Sequence, residues 1–73
     1  MEIKEKKKEI KLTERELLIL RYIAAGYSDA EIAQYMNLVI STLRRAIDTL
    51  YRKVDVYNRV TLVAWGFRNK YLK

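Results

Sequence analysis

The chain has 73 residues, a net charge of +6, and neither cysteine nor histidine. One small domain of this composition has no disulfides, no usual zinc ligands and neither the commonest general base nor the strongest nucleophile, so we predict no enzyme activity, metal, cofactor or small-molecule ligand. It contains no apolar run of about 18 residues that could cross a membrane and no secretory signal, so we expect a cytoplasmic protein.

The N-terminal residues 1–11 carry five lysines against three glutamates and almost no apolar side chains. We predict a charged arm here, because such a segment cannot bury enough surface to order itself alone. It serves either as a solvated tail or as an arm that touches nucleic acid or packs as a helical extension. Residues 12–73 then form the folded domain.

With no proline and only two glycines, the composition favours an all-α fold. The first helix is predicted at about 13–25, because Thr13 and Glu16 have the spacing of a capping box and Gly26 suits a left-handed C-terminal residue. The next helix is predicted to follow almost at once.

A second capping box at Ser28 and Glu31 predicts a short helix at about 28–36. Residues 37–40 leave room only for a tight turn before the next apolar repeat. A short helix, a tight turn and a further helix form a helix-turn-helix arrangement.

The third helix is predicted at about 40–54, because apolar residues recur there every three or four positions. Asn58 can cap a fourth helix, from Arg59 to about Lys70. The apolar residues of the third helix are Leu43, Ala46 or Ile47, Leu50 and Val54, and its polar face holds Ser41, Arg44, Arg45, Asp48, Thr49, Arg52 and Lys53.

The positive charge of the chain is concentrated in residues 41–73, which carry eight cations against two aspartates. Residues 12–40, in contrast, carry two arginines against four acids. Charge placed in this way is typical of proteins that bind a polyanion, since neutralising phosphates releases counterions. Double-stranded DNA is the expected partner, and an anionic membrane surface is the competing one.

The third helix is the predicted recognition helix. Arg44 and Arg45 near its start are suited to reading guanine in the major groove, while Ser41 and Thr42 supply hydroxyls and amides for phosphates. Asp48 can accept from a cytosine amino group or pair with a neighbouring arginine, and we favour the intrahelical pair.

The run from Leu12 to Trp65 resembles the LuxR/GerE-type DNA-binding domain of bacterial transcription regulators. The resemblance covers about residues 12–67 without a gap. Its landmarks are Leu12-Thr13-Glu14-Arg15-Glu16, Gly26, Ser28, Glu31-Ile32-Ala33, Thr42, Arg52-Lys53, Val56, Asn58-Arg59 and Leu62-Val63.

The resemblance implies a four-helix domain that docks its third helix in the major groove, dimerises through its fourth helix and acts on RNA polymerase at promoters. It also implies a stand-alone form, without a receiver or ligand-binding domain before it. By position, it assigns base contacts to Arg44, Arg45 and Asp48, and backbone or supporting contacts to Ser28, Thr42, Arg52, Lys53 and Arg59.

A homodimer is expected through the fourth helix, which carries more apolar surface than one core-facing stripe needs. Trp65 lies either in this dimer contact or in the core of the monomer. The predicted dimer residues are Val60, Ala64, Trp65 and Arg68.

The departures from the family pattern cluster around the third helix. Val39 replaces the usual serine cap, Leu43 a valine, Ala46 a histidine and Asp55 a glycine. Two acids also lie on or near the expected DNA side. These acids are Asp29 and Asp48. The alternative function is therefore a module of the same fold that binds a protein, such as polymerase or another regulator, instead of a specific DNA sequence.

Overall fold

The computed structural model describes residues 10–73. Helices occupy most of this range and it contains no strand, which confirms the predicted all-α fold. No helix in it is long and apolar enough to span a membrane. The four helices are α1 (Glu14–Ala24), α2 (Asp29–Tyr35), α3 (Ile40–Val54) and α4 (Arg59–Arg68).

Helices α1 and α2 begin with the reciprocal hydrogen bonds that the sequence predicts. The hydroxyl of Thr13 accepts from the backbone N–H of Glu16 at 3.1 Å, and Glu16 Oε1 accepts from the backbone N–H of Thr13 at 2.9 Å. Ser28 and Glu31 repeat the pair at 3.1 and 2.8 Å. These caps satisfy amides that have no partner within the helix, so they set where each helix starts.

Helix α4 also starts with its predicted cap. Asn58 Oδ1 accepts from the backbone N–H of Thr61 at 2.9 Å, and the Thr61 hydroxyl accepts from the backbone N–H of Asn58 at 3.1 Å. The helix ends at Arg68, two residues earlier than predicted. Lys70 has a left-handed φ of 66°, and a right-handed helix cannot continue through it.

The core forms where α1 packs against α4 and α2 packs against α3. All four helices contribute to it, so each helix gains most of its stability from packing against the others. The buried apolar residues are Ile19, Leu20, Ile23, Ile32, Ala33, Leu43, Ile47, Leu50, Val54, Leu62 and Trp65.

Trp65 closes the core of the monomer together with the C-terminal residues. The residue is 8% exposed, and its indole stacks on Tyr71, with ring centroids 5.4 Å apart. The Tyr71 hydroxyl donates to the carbonyl of Ile10 at 3.1 Å and accepts from the backbone N–H of Leu12 at 3.3 Å. The placement of Trp65 in the dimer contact is therefore corrected: burial leaves little indole surface for a partner.

The predicted arm, residues 1–11, lies outside the described residues except for its last two. Ile10 is half-buried and packs against the core. The folded part of the chain thus includes at least one residue that the sequence pattern assigned to the arm.

Candidate nucleic-acid interface

A tight turn joins α2 to α3, in the helix-turn-helix arrangement that the sequence predicts. Asn37 adopts a left-handed φ of 60° in this turn, which asparagine tolerates better than most residues. The backbone N–H of Leu38 donates to the carbonyl of Ala33 at 2.8 Å, and the Leu38 side chain packs against the core. The turn thereby fixes the direction in which α3 leaves α2.

Helix α3 has one buried and one exposed face, as predicted. Its buried residues anchor it over the core, so the opposite face stands towards solvent. Thr42 is half-buried at the edge of that face. The exposed residues predicted to contact DNA are Ser41, Arg44, Arg45, Asp48, Arg52 and Lys53.

The two ends of α3 depart from the family pattern with different results. Val39 occupies the N-cap position, is 67% exposed and makes no side-chain cap hydrogen bond. The first turn of α3 therefore lacks the cap that a serine would supply. Asp55 ends the helix in the left-handed region, with φ 63° and ψ 53°, so the aspartate does adopt the conformation usually taken by glycine.

One side of the α3 outer face meets α2 and α4 through a shared carboxylate. Asp29, the first residue of α2, accepts from Arg44 Nε at 3.4 Å and from an Arg59 guanidinium nitrogen at 2.5 Å. Arg59 also donates to the backbone carbonyl of Tyr27 at 3.0 Å. We call Asp29, Arg44 and Arg59 the α2 flank. Its carboxylate offsets part of the positive charge that the sequence places there.

Tyr51 is half-buried on α3 beside the α2 flank. Burial raises the pKa of Tyr51, and the carboxylates of Asp29 and Asp48 act in the same direction, against the opposing charge of Arg59. The phenol is consequently neutral at physiological pH and adds no charge to this surface.

The other side of α3 meets the start of α1 through a second ion pair. Lys53 Nζ lies 2.6 Å from Glu16 Oε1, and their side chains are 31% and 19% exposed. Desolvation acts to raise the pKa of Glu16, but the hydrogen bonds from Lys53 and Thr13 and the charge of Lys53 outweigh it and lower the pKa. Glu16 thus both completes the capping box of α1 and forms an ion pair with Lys53.

An open groove runs between the start of α1 and the outer face of α3, and it holds about 380 Å³. Two arginines and three threonines give it a cationic, hydrogen-bonding lining. We call it the α1 groove; it is lined by Thr13, Arg15, Glu16, Ile19, Thr42, Arg45, Ala46 and Thr49.

Asp48 forms the intrahelical ion pair that the sequence favours. Its Oδ2 lies 2.8 Å from a guanidinium nitrogen of Arg52, one turn further along α3, and both side chains are more than 60% exposed. An exposed pair of this kind contributes little to stability. Either residue can therefore exchange this partner for another polar group at small cost.

Three of the residues predicted to contact the DNA backbone make contacts within the domain: Ser28, Arg59 and Lys53. Ser28 caps α2 with its hydroxyl, and Arg59 is held by Asp29 and Tyr27. Sequence reasoning missed the partner of Lys53, because Glu16 is distant in the chain and no local pattern joins the two. In residues 10–73 no three acidic, histidine or cysteine side chains come together as a metal site.

Helix α4 presents the remaining candidate surface. Val60 is 76% exposed and Phe67 is 51% exposed, and Ala64 and Arg68 are exposed between and beside them. Their spacing of three or four residues puts them on one side of α4. Tyr57, just before the helix, is 81% exposed.

Residues 11–65 match the family model described as bacterial regulatory proteins, luxR family. Similar curated proteins are the response regulator proteins VraR of Staphylococcus aureus (strain Mu3), Staphylococcus saprophyticus and Staphylococcus epidermidis. Each is 36% identical over 62 residues, which cover 85% of this chain. The chain spans only 30% of the length of these relatives. No solved structure shows a significant match.

Proposed function

Because the chain belongs to the luxR family of bacterial regulatory proteins, we propose that it binds double-stranded DNA with α3 in the major groove and regulates transcription. The observation that carries this proposal is the exposed cationic face of α3 behind a helix-turn-helix turn. A helix has the diameter to enter the major groove, and an arginine that contacts guanine is the commonest specific contact there. A contact with RNA polymerase at promoters is part of the same proposal.

Arg45 is the main base reader in this proposal. Adjacent residues on a helix point about 100° apart, so Arg44 and Arg45 cannot serve the same position equally. Arg44 is turned towards Asp29, whereas Arg45 has no ion-pair partner within residues 10–73. Asp48 can read a base only after releasing Arg52.

The backbone contacts are supplied by residues at the two ends of α3. Ser41 and Thr42 lie in its first turn, where the helix dipole favours phosphate. Arg52 stands on the exposed face and can turn from Asp48 to a phosphate. Ser28, Lys53 and Arg59 support the interface indirectly, because their side chains hold α2, α1 and α4 in position; the contacts that do so are the Ser28 cap, the Lys53–Glu16 pair and the Arg59–Asp29 pair.

Two copies pair through α4 in the proposed complex. The dimer face consists of Val60, Ala64, Phe67 and Arg68, with Tyr57 beside it, and Trp65 is excluded because it is buried. A stable interface buries about 1,200 Å² or more, which a few side chains on a ten-residue helix do not reach. We therefore propose that the dimer forms on DNA.

Selection of bound duplexes from a random pool tests the proposal directly. We expect a palindromic consensus whose half-sites are about one helical turn or a multiple of it apart, bound with strong salt dependence. Val60→Asp should abolish the spacing requirement while leaving half-site binding. A protein that shows no salt-dependent binding to any duplex at low ionic strength would sink the proposal.

The alternative function is a protein-interaction module of the same fold. The exposed apolar face of α4 and the acids Asp29 and Asp48 beside α3 favour it. In that case, capture of polymerase or of another regulator should be lost in Val60→Asp and unchanged in Arg45→Ala. Capture that is lost in Arg45→Ala and unchanged in Val60→Asp would instead indicate that the protein acts through DNA.

A further inference from the structure

Arg15 is a candidate for a binding role, because its position in α1 gives it no evident role in stabilising that helix. It lies in the first turn of α1, where the helix dipole disfavours a cation. Its side chain is exposed, and within residues 10–73 it forms no ion pair. Neither the helix dipole nor an ion pair within residues 10–73 therefore accounts for an arginine at this position.

Arg15 faces the same groove as Arg45, although the two residues belong to different helices. The hydroxyls of Thr13, Thr42 and Thr49 line the groove as well. A hydroxyl keeps a proton to donate even while it accepts, so Thr13 can donate to a ligand while its oxygen accepts from Glu16.

The only acid in the lining of the α1 groove is Glu16. Its Oε1 already accepts from Lys53 and from the backbone N–H of Thr13. The lysine compensates the charge of the carboxylate, so the two arginines leave the groove positive. An anion with several acceptor oxygens is the ligand that suits this lining.

We infer that the α1 groove holds the phosphate backbone of one DNA strand, with Arg15 as the phosphate contact. The inference rests on the proposed function, in which α3 lies in the major groove. The major groove is about 12 Å wide, and a helix with its side chains nearly fills it, so the two DNA strands run along the two sides of α3. The α1 groove lies along one of these sides.

The test compares binding to a random-sequence duplex across a salt series, with far-UV circular dichroism as the check on folding. For Arg15→Ala we expect about three- to tenfold weaker binding at low salt. The slope of log affinity against log salt should become shallower by about 0.9, as one phosphate contact is lost. The loss should be the same for every DNA sequence.

Arg21→Ala is the matched control, because Arg21 is an exposed arginine of α1 at the other end of the helix. It changes the net charge equally but should leave the slope unchanged. Thr49→Arg adds a cation to the groove and should steepen the slope by a similar amount, a gain that misfolding cannot produce.

Equal losses in Arg15→Ala and Arg21→Ala would overturn the inference, since they would report net charge alone. An unchanged slope in both Arg15→Ala and Thr49→Arg would also overturn it while leaving the proposed function intact. Wild-type protein that does not bind the duplex at any salt concentration contradicts the proposed function instead.

Discussion

The two sides of α3 carry similar residues but use them differently. On the α2 flank, Arg44 and Arg59 share the carboxylate of Asp29, so two cations have a partner within the domain. On the other side, Arg15 and Arg45 line the open α1 groove. The one acid in that lining, Glu16, is paired with Lys53. The number of cations alone therefore does not say which side meets a phosphate.

The difference has a physical cause in the position of the acids. Asp29 stands at the start of α2, where the helix dipole favours a carboxylate and where both arginines can reach it. Glu16 stands at the third position of α1, where the capping box turns it back towards Thr13 and Lys53. In the proposed complex, Asp29 therefore competes with DNA for an arginine, and Glu16 does not.

The largest effect is expected from the two neighbouring arginines of α3. Arg45→Ala should cost about 1–3 kcal/mol of binding to the selected site and relax its sequence preference, because no intramolecular partner holds Arg45 within residues 10–73. Arg44→Ala should cost less than Arg45→Ala, by up to about 1 kcal/mol, since Asp29 must release Arg44 before it can bind. Titration of selected and scrambled duplexes measures both.

Which of these two variants loses more affinity shows which side of α3 reads the DNA sequence. A larger loss in Arg44→Ala than in Arg45→Ala would mean that the Asp29 contact positions Arg44 for DNA. The α2 flank, not the side of the α1 groove, would then be the reading side.

A smaller effect of opposite sign is expected at Asp29. Asp29→Asn removes a carboxylate that competes for Arg44 and repels phosphates, so affinity for any duplex should rise about threefold and the salt slope should steepen. Asp55→Asn is the matched control, because it removes the same charge from the C-cap of α3, where Asp55 forms no ion pair within residues 10–73 and asparagine also tolerates the left-handed conformation. Binding measured across a salt series distinguishes the two.

If Asp29→Asn weakens binding, the carboxylate orients Arg44 and Arg59 instead of competing with DNA. The folding of the variant is checked by thermal melting, since Asp29 also stabilises the start of α2 and anchors Arg59. An equal rise in both variants would point to net charge alone.

Local chemistry explains why the helices could be predicted. The caps at Thr13, Ser28 and Asn58 depend on residues three positions apart, and the spacing shows them directly. The left-handed conformation of Gly26 follows from the same local preferences, whereas that of Asp55 is expected from the family pattern, which has a glycine there. The class of fold and the starts of these helices therefore needed no information about distant contacts.

The site was only partly predictable, because its charges are paired across long stretches of sequence. Arg44 meets Asp29, and Lys53 meets Glu16, only after the helices have packed. The correct placement of Trp65 likewise depends on Tyr71, which returns to the indole after the chain turns at Lys70. Spacing identified the exposed face of α3 but not which of its arginines is held.

The smallest effect concerns the ion pair that keeps the α1 groove positive. The pKa of Glu16 is lower in the folded protein than its ordinary value of 4.5, so the pair stabilises the fold above that value. This stability is lost as the pH falls from about 5 through the folded pKa. Glu16→Gln should remove roughly 0.5–1 kcal/mol of this pH dependence while keeping the cap, because glutamine also completes a capping box.

Glu31→Gln is the matched control for the pair, because Glu31 completes the cap of α2 without a lysine partner in residues 10–73. Urea unfolding at pH 7 and at pH 3 measures both variants. The Glu16→Gln variant should be less stable than the wild type at pH 7 and equally stable at pH 3. The difference in stability between Glu31→Gln and the wild type should be nearly the same at the two pH values. Equal behaviour of the two variants would mean that Lys53 is not held by Glu16 in solution, and the charge of Glu16 would then oppose phosphate in the α1 groove.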